Sequence, residues 1–115
     1  MPAVAFASLI LPGKQEAWRR FLQEMREFRQ SEYEESHRGL GITRELLWLA
    51  QTRQGDVAIT YLEADDPLQV LMKLAASKLP FDRWFKEQLR EFHGLDLEQL
   101  PPRPLAEQMF EWRLP

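Results

Sequence analysis

The chain of 115 residues contains no cysteine. This absence excludes thiol catalysis, disulfide bonds, iron–sulfur clusters and zinc sites built on thiolates. Asparagine is absent as well. Positive charge is not in excess, because the chain has 15 Lys and Arg residues and 18 Asp and Glu residues, which give a net charge of −3. Such a balance gives no electrostatic reason to bind nucleic acid or an anionic lipid surface, and we expect neither partner.

Long apolar runs are missing too. The longest uncharged stretch, residues 1–13, has an apolar part too short to span a membrane as a helix, and no basic segment precedes it as in a secretory signal. We therefore expect a cytoplasmic protein and interpret this stretch as a buried first strand. With 44% hydrophobic and 29% charged residues, the composition is typical of one globular domain over residues 1–115.

Known catalytic and cofactor motifs are also lacking. The sequence has no glycine-rich phosphate loop and no HExxH, GxSxG or EF-hand pattern. Its two histidines, His37 and His93, lie far apart in the sequence and have no convincing set of partner ligands. We therefore expect neither a metal site nor a cofactor.

The secondary structure that the sequence does indicate follows the order β-α-β-β-α-α-β. Runs of small and branched apolar residues predict strands, and amphipathic spacing predicts helices. Asp66 is expected to cap a helix that begins at Pro67. The predicted strands cover 3–11, 42–52, 57–64 and 105–113, the predicted helices cover 15 to about 37, 67 to about 77 and 80–92, and a Pro-rich connector covers 95–104.

This order predicts an α+β fold, a ferredoxin-like domain with a four-stranded antiparallel sheet. Helices cover one face of such a sheet, so the other face should be polar. Here both faces are apolar: Trp48 and Leu49, for example, point to opposite sides of one strand. Because soluble monomers rarely expose a large apolar face, we predict a homodimer through that sheet face. The open alternative is that the C-terminal segment covers it.

Element order and two-sided strands make the chain similar to the dimeric α/β-barrel proteins. In that superfamily two ferredoxin-like sheets pack face to face, and a small-molecule pocket lies between each sheet and its own helices. The resemblance covers nearly the whole chain. Several short segments further resemble a bacterial family of such proteins that has no assigned activity. These segments are 32–34 (EYE), 41–44 (GITR), 55–56 (GD), 61–67 (YLEADDP), 81–85 (FDRWF) and 93–96 (HGLD).

Better-known enzymes of the superfamily are cofactor-free quinone-forming oxygenases and haem-degrading oxygenases. The haem-degrading enzymes resemble one another through a set of Asn, Trp and His residues. Because this chain has no asparagine, the resemblance does not carry that activity over to it. A different donor, such as Gln51 or Thr60, is the open alternative.

One constellation of acidic, aromatic and histidine side chains suits chemistry on a small molecule. The apolar stripe of the first predicted helix becomes acidic at Glu32, and His93 falls near the buried stripe of the last helix. Glu32 or Glu63 would polarise His93 for proton abstraction from a small aromatic substrate. The predicted catalytic residues are thus His93, Glu32 and Glu63, and the predicted ligand-binding residues are Trp48, Tyr61, Tyr33, Trp84 and Phe85.

These observations leave three functions open. The first is a homodimer that binds a small apolar or aromatic ligand without catalysis. The second is a cofactor-independent monooxygenase or isomerase acting on a small aromatic substrate, and the third is a purely structural dimer. The candidate residues also have structural explanations, since His93 directly before Gly94 suits a helix C-terminus on electrostatic grounds. Whether the protein is an enzyme is therefore left open.

Overall fold

A single antiparallel sheet of three strands, in the order β1-β3-β2, organises the structure. The computed structural model describes residues 2–100 and 105–115. Helices pack on one face of the sheet, and a short 3₁₀ turn at Leu97–Gln99 follows the last of them. The strands are β1 (Ala3–Leu9), β2 (Ile42–Thr52) and β3 (Gly55–Ala64), and the helices are α1 (Gln15–Glu27), α2 (Gln30–Leu40), α3 (Pro67–Ala76) and α4 (Pro80–His93).

The α+β class is as predicted, but the predicted four-stranded ferredoxin-like sheet is wrong. Residues 105–115 form no strand, and the side chains from Glu107 onward are exposed. An apolar, extended segment becomes a strand only where a neighbouring strand offers its backbone N–H and C=O groups in register. The apolar pattern over 105–113 is compatible with a strand, but it does not supply that neighbour. Residues 101–104 of the predicted connector lie outside the described residues.

The helix predicted from 15 to about 37 is two helices, α1 and α2. The chain breaks at Phe28 and Arg29, where both backbone N–H groups bond to the Glu24 carbonyl. The Arg29 side chain turns back to the Glu24 carboxylate at 2.6 Å and covers the Trp84 ring at 4.1 Å. Phe28, expected on the buried stripe, is 79% exposed. Tertiary contacts of Arg29 therefore accompany a break that the helical spacing alone does not reveal.

Strands β2 and β3 form a hairpin whose register is shifted near its open end. Ile42 lies opposite Ala64 and Arg44 opposite Glu63, so Thr43 is the extra residue of a β-bulge. Side chains on successive residues of a strand point to opposite faces. Beyond the bulge, the even-numbered residues of β2 therefore point to one face of the sheet and the odd-numbered residues point to the other.

The inner face of the sheet carries the core. Ala58, Thr60 and Leu62 of β3 point toward the helices and are buried, and Phe6 of β1 packs beside them. Apolar side chains of all four helices close over this face. The buried apolar residues are Ile10, Trp18, Phe21, Met25, Leu40, Ala58, Leu62, Ala64, Val70, Leu74, Phe81, Phe92 and Leu97.

The outer face of the sheet is apolar as well. The register places Leu9, Val57 and Ala50 in one row and Ile59 and Trp48 in the next. Leu9 and Trp48 are each 50% exposed. The two-sided apolar character that the strand pattern predicts is therefore present in the structure.

Of the helices within 2–100 and 105–115, none combines the length and the apolar character that a membrane span demands.

The start of α3 gives a first testable prediction. As expected, Asp66 accepts a hydrogen bond from the Gln69 backbone N–H at 3.3 Å, and Pro67 is the first helical residue. Asp66→Ala should lower the free energy of unfolding by about 1 kcal/mol, because one N–H group at the helix start loses its partner. Urea unfolding followed by circular dichroism measures this loss. The control Asp65→Ala, at the exposed preceding residue, should change stability by less than about 0.5 kcal/mol, and equal losses would contradict the cap.

Candidate functional site

A narrow cavity lies between the inner face of the sheet and the helices. Its volume is about 80 Å³, whereas an engineered apolar cavity of about 150 Å³ holds benzene. A ligand of a few heavy atoms, or one group of a larger ligand, therefore fits without rearrangement. The lining is mostly apolar, with Phe6, Phe85 and Leu89 among its members. Its polar members are Ser8, Ser36, His37, Glu45, Thr60 and His93.

Two of these polar residues join Tyr33 in one hydrogen-bonded group, the His37–Glu45–Tyr33 cluster. The Tyr33 hydroxyl donates to Glu45 Oε1 at 2.5 Å, and His37 Nε2 lies 2.6 Å from the same oxygen. The Tyr33 and His37 rings stack with their centroids 3.8 Å apart. The side chains of His37 and Glu45 are only 13% and 11% exposed. The cluster thus places a charged carboxylate inside an otherwise apolar layer.

The cluster forms because two elements meet at the start of β2. Tyr33 and His37 stand at positions i and i+4 of α2, so they share one face of the helix. Gly41, with a φ of 79°, ends α2 in the left-handed conformation, and β2 begins at the next residue. This short connection lays the last turn of α2 over the first residues of β2. Glu45 points inward there because the register places it opposite Leu62.

Hydrogen positions in the cluster follow from its acceptor. A carboxylate only accepts hydrogen bonds, so His37 carries a hydrogen on Nε2 and Tyr33 keeps its hydroxyl hydrogen. Burial, reinforced by the neighbouring charge of Glu45 and by the hydrogen bond to it, raises the pKa of Tyr33 well above its ordinary value. The remaining ring nitrogen, His37 Nδ1, is buried and has no hydrogen-bond partner within residues 2–100 and 105–115.

The predicted catalytic residues are not brought together. His93 does line the cavity, but its Nδ1 donates to the Leu9 carbonyl at 2.9 Å. Glu32 is exposed on α2, 3.5 Å from the Arg29 guanidinium, and Glu63 lies on the outer face of the sheet. Among the described residues neither carboxylate makes a hydrogen bond or ion pair with His93. A catalytic role for these three residues stays a prediction. The contact between His93 and a carboxylate, on which that prediction was based, is not formed among the described residues.

The predicted ligand-binding residues divide between the two faces of the sheet. Trp48 and Tyr61 lie on the outer face, where the Tyr61 hydroxyl donates to Glu63 at 2.8 Å. Phe85 lines the cavity, Tyr33 belongs to the cluster, and Trp84 packs against the aromatic core under Arg29. One pocket lined by Trp48, Tyr61, Trp84 and Phe85 together is therefore not formed within one chain.

Sequence reasoning missed His37 and Glu45 as partners. A signal for Glu45 was available, since it shares its strand face with Leu47 and Leu49 and so places a carboxylate in an apolar row. His37 stood at the very end of the predicted first helix, where its face could not be assigned. Its contact with Glu45 depends on how α2 turns back over β2, which no local pattern specifies.

The arrangement suits a small ligand more than a metal ion. In the described part of the chain no three His, Asp or Glu side chains converge as metal ligands would. What the cavity offers is an apolar wall with a few polar groups, which is the usual composition of small-molecule sites. His37 Nδ1, buried and unpartnered within the described ranges, would accept a hydrogen bond from such a ligand when the ring is neutral.

Comparison of the chain with known protein families, curated proteins and solved structures finds no match. The resemblance to the dimeric α/β-barrel proteins is therefore untested and stays a prediction. No relative supplies residue roles for the cavity, so its chemistry follows only from the contacts described above.

The burial of His93 predicts a dependence of stability on pH. Burial lowers the pKa of His93, and the hydrogen bond to Leu9 only partly offsets this. The unfolded chain therefore takes up a proton near pH 6.5, while the folded chain takes it up at lower pH, and stability falls as the pH drops below about 6.5.

His93→Asn keeps an N–H donor for the Leu9 carbonyl but does not titrate. The variant should lose less of its free energy of unfolding than the parent chain between about pH 7.5 and pH 5. Urea unfolding at several pH values measures both chains. Parallel pH profiles for the two would contradict the role assigned to His93 burial.

Proposed function

We propose that the protein is a homodimer that binds a small apolar or aromatic ligand between its helices and the inner face of its sheet. The cavity of about 80 Å³ carries this proposal, because well-packed cores rarely leave space larger than a water molecule. An apolar lining with a few converging polar groups further supports binding of a small molecule.

The outer face of the sheet supports association with a second copy. Its apolar residues include Leu9, Trp48 and Ile59, while the charged pair Arg44 and Glu63 stands toward one end. An apolar centre with charges at its margin is the usual composition of a protein interface. Two identical faces related by a twofold axis would bury each other's apolar side chains.

A competing cover for this face lies in the same chain. Residues 105–115 expose four large apolar side chains, namely Met109, Phe110, Trp112 and Leu114. We favour the second copy, because these four side chains are themselves exposed while Trp48 of the sheet face is 50% exposed. Coverage by residues 105–115 is the other outcome of the test. The purely structural dimer would share this interface but leave the cavity without a ligand.

The cavity predicts binding of small aromatic hydrocarbons. At about 80 Å³ it is smaller than the cavity of about 150 Å³ that holds benzene, so its side chains have to shift to admit an aromatic ring. Toluene should raise the melting temperature of the protein, and the increase should grow with toluene concentration. Ala58→Val adds side-chain volume inside the cavity and should weaken toluene binding by about tenfold or more, since overpacking leaves no room for the ring. Calorimetric melting and ligand-observed NMR measure both effects.

A matched control for the cavity variant is Ala5→Val on the outer face. It makes the same chemical change away from the cavity and should bind toluene like the parent chain. Equal toluene affinity for Ala58→Val and the parent chain would argue against the cavity as the binding site. No binding of toluene by any of the three chains would count against the proposed function.

The outer face predicts a specific oligomeric state. In analytical ultracentrifugation the protein should sediment at twice its chain mass of 13.7 kDa. Trp48→Glu buries a charge in the apolar interface and should shift the equilibrium to the monomer. The control Phe28→Glu, at an aromatic residue exposed among the helices, should stay dimeric. A parent chain that sediments as a monomer would contradict the dimer and favour residues 105–115 as the cover.

A further inference from the structure

We propose that His37 is the proton acceptor of this site and takes a proton from a small, weakly acidic ligand, such as a phenol or an enol, while Glu45 positions its ring. The inference rests on the proposed ligand binding and adds to it the chemical class of the ligand. It replaces a His93-centred arrangement with one in which a histidine and a carboxylate are in contact.

The two ring nitrogens of His37 have different surroundings. Nε2 lies 2.6 Å from Glu45 Oε1, and a carboxylate cannot donate, so the hydrogen is on Nε2. In the neutral ring Nδ1 then presents a lone pair. That nitrogen is buried and unpartnered within the described residues, and a buried acceptor without a donor is rare in native proteins because it has lost its water. A ligand that brings an O–H group would satisfy it.

Transfer of the ligand proton to His37 places each new charge beside an opposite one. When the ligand O–H bond breaks, an Nδ1–H bond forms and the electron pair stays on the ligand oxygen. The imidazolium then faces the Glu45 carboxylate through Nε2 and the ligand anion through Nδ1. Tyr33 donates to the same Glu45 oxygen and keeps its own proton, because burial and Glu45 raise its pKa. No other reactant is needed to balance this step.

The His37–Glu45–Tyr33 cluster also lies between the apolar cavity and a second, more open groove. His37 and Glu45 line both the apolar cavity and a more open groove of about 390 Å³ at the junction of α2 and β2. Arg38 and Arg44 line that groove together with Glu34. An aromatic ring can therefore extend beyond the small cavity while its acidic group reaches the cluster. Side chains covering Nδ1 have to shift slightly for contact, a common adjustment when ligands bind.

The second histidine of the chain is an internal control. His93 donates from Nδ1 to the Leu9 carbonyl, which can only accept. In their neutral forms the two histidines therefore carry their hydrogens on opposite ring nitrogens, Nε2 in His37 and Nδ1 in His93. Long-range ¹H–¹⁵N NMR spectra distinguish the two forms, and His93→Asn assigns the signals. Finding the His37 hydrogen on Nδ1 would overturn the proposal before any ligand is added.

The decisive experiment uses 4-nitrophenol, whose phenolate absorbs visible light while the neutral phenol does not. Below neutral pH, addition of the protein should increase the phenolate band as the complex forms. His37→Gln keeps an N–H donor for Glu45 but accepts no proton, so its phenolate band should fall by about tenfold or more. The control Glu35→Gln, at an exposed carboxylate of the same helix that lines neither the cavity nor the groove, should behave like the parent chain.

Nitrobenzene, which lacks the acidic hydroxyl, separates binding from proton transfer. His37→Gln should bind nitrobenzene as the parent chain does, which also shows that the variant is folded. If both chains bind nitrobenzene and 4-nitrophenol but yield no phenolate, His37 is not the acceptor and the binding function stands. If neither compound binds to the parent chain, both the proposed function and this inference are wrong.

Glu45→Gln tests the positioning role of the carboxylate. The variant leaves His37 in place but removes the negative charge that faces its Nε2. It should bind nitrobenzene normally and yield about tenfold less phenolate, because the imidazolium has lost its counter-charge. An unchanged phenolate yield would show that Glu45 holds the ring only as a structural hydrogen-bond partner and would overturn its role in the proposal.

Discussion

The register of the β2–β3 pair is the constraint on which the interior of this protein depends. The bulge at Thr43 sends Arg44 to the outer face and Glu45 to the inner one. A slip of one residue would exchange the two, because successive strand residues point to opposite faces. The helices would then close over a guanidinium, and Tyr33 and His37 would lose the oxygen that joins them.

A second buried carboxylate holds the helix that carries the histidine. Asp82 of α4 is 2% exposed and accepts hydrogen bonds from the hydroxyls of Ser36 and Ser77. Ser36 directly precedes His37, so the last turn of α2 is bound both to α4 and, through Glu45, to the sheet. Burying charged groups is favourable only when their hydrogen bonds are satisfied. The two networks therefore restrict how α2 lies on the sheet.

The two faces of the sheet have different surroundings, although the strands carry apolar residues on both. On its inner side, side chains such as Ala58 and Leu62 pack under helices and leave a cavity. On its outer side, Trp48 and Ile59 form an apolar face that remains half-open to solvent. Aromatic residues of neighbouring strands can therefore serve a ligand site or an interface, depending only on the side that the helices cover.

Local sequence determined much of the framework. The bounds of β2, the start of α3 after Asp66 and the apolar character of both strand faces follow from alternation, capping chemistry and proline, which act over a few residues. The break at Phe28, the absence of a strand in residues 105–115 and the meeting of His37 with Glu45 were decided only in the tertiary structure. Each of these three features depends on groups that are distant in sequence. The relative position of such groups is set by strand register and helix direction, and a local sequence pattern specifies neither.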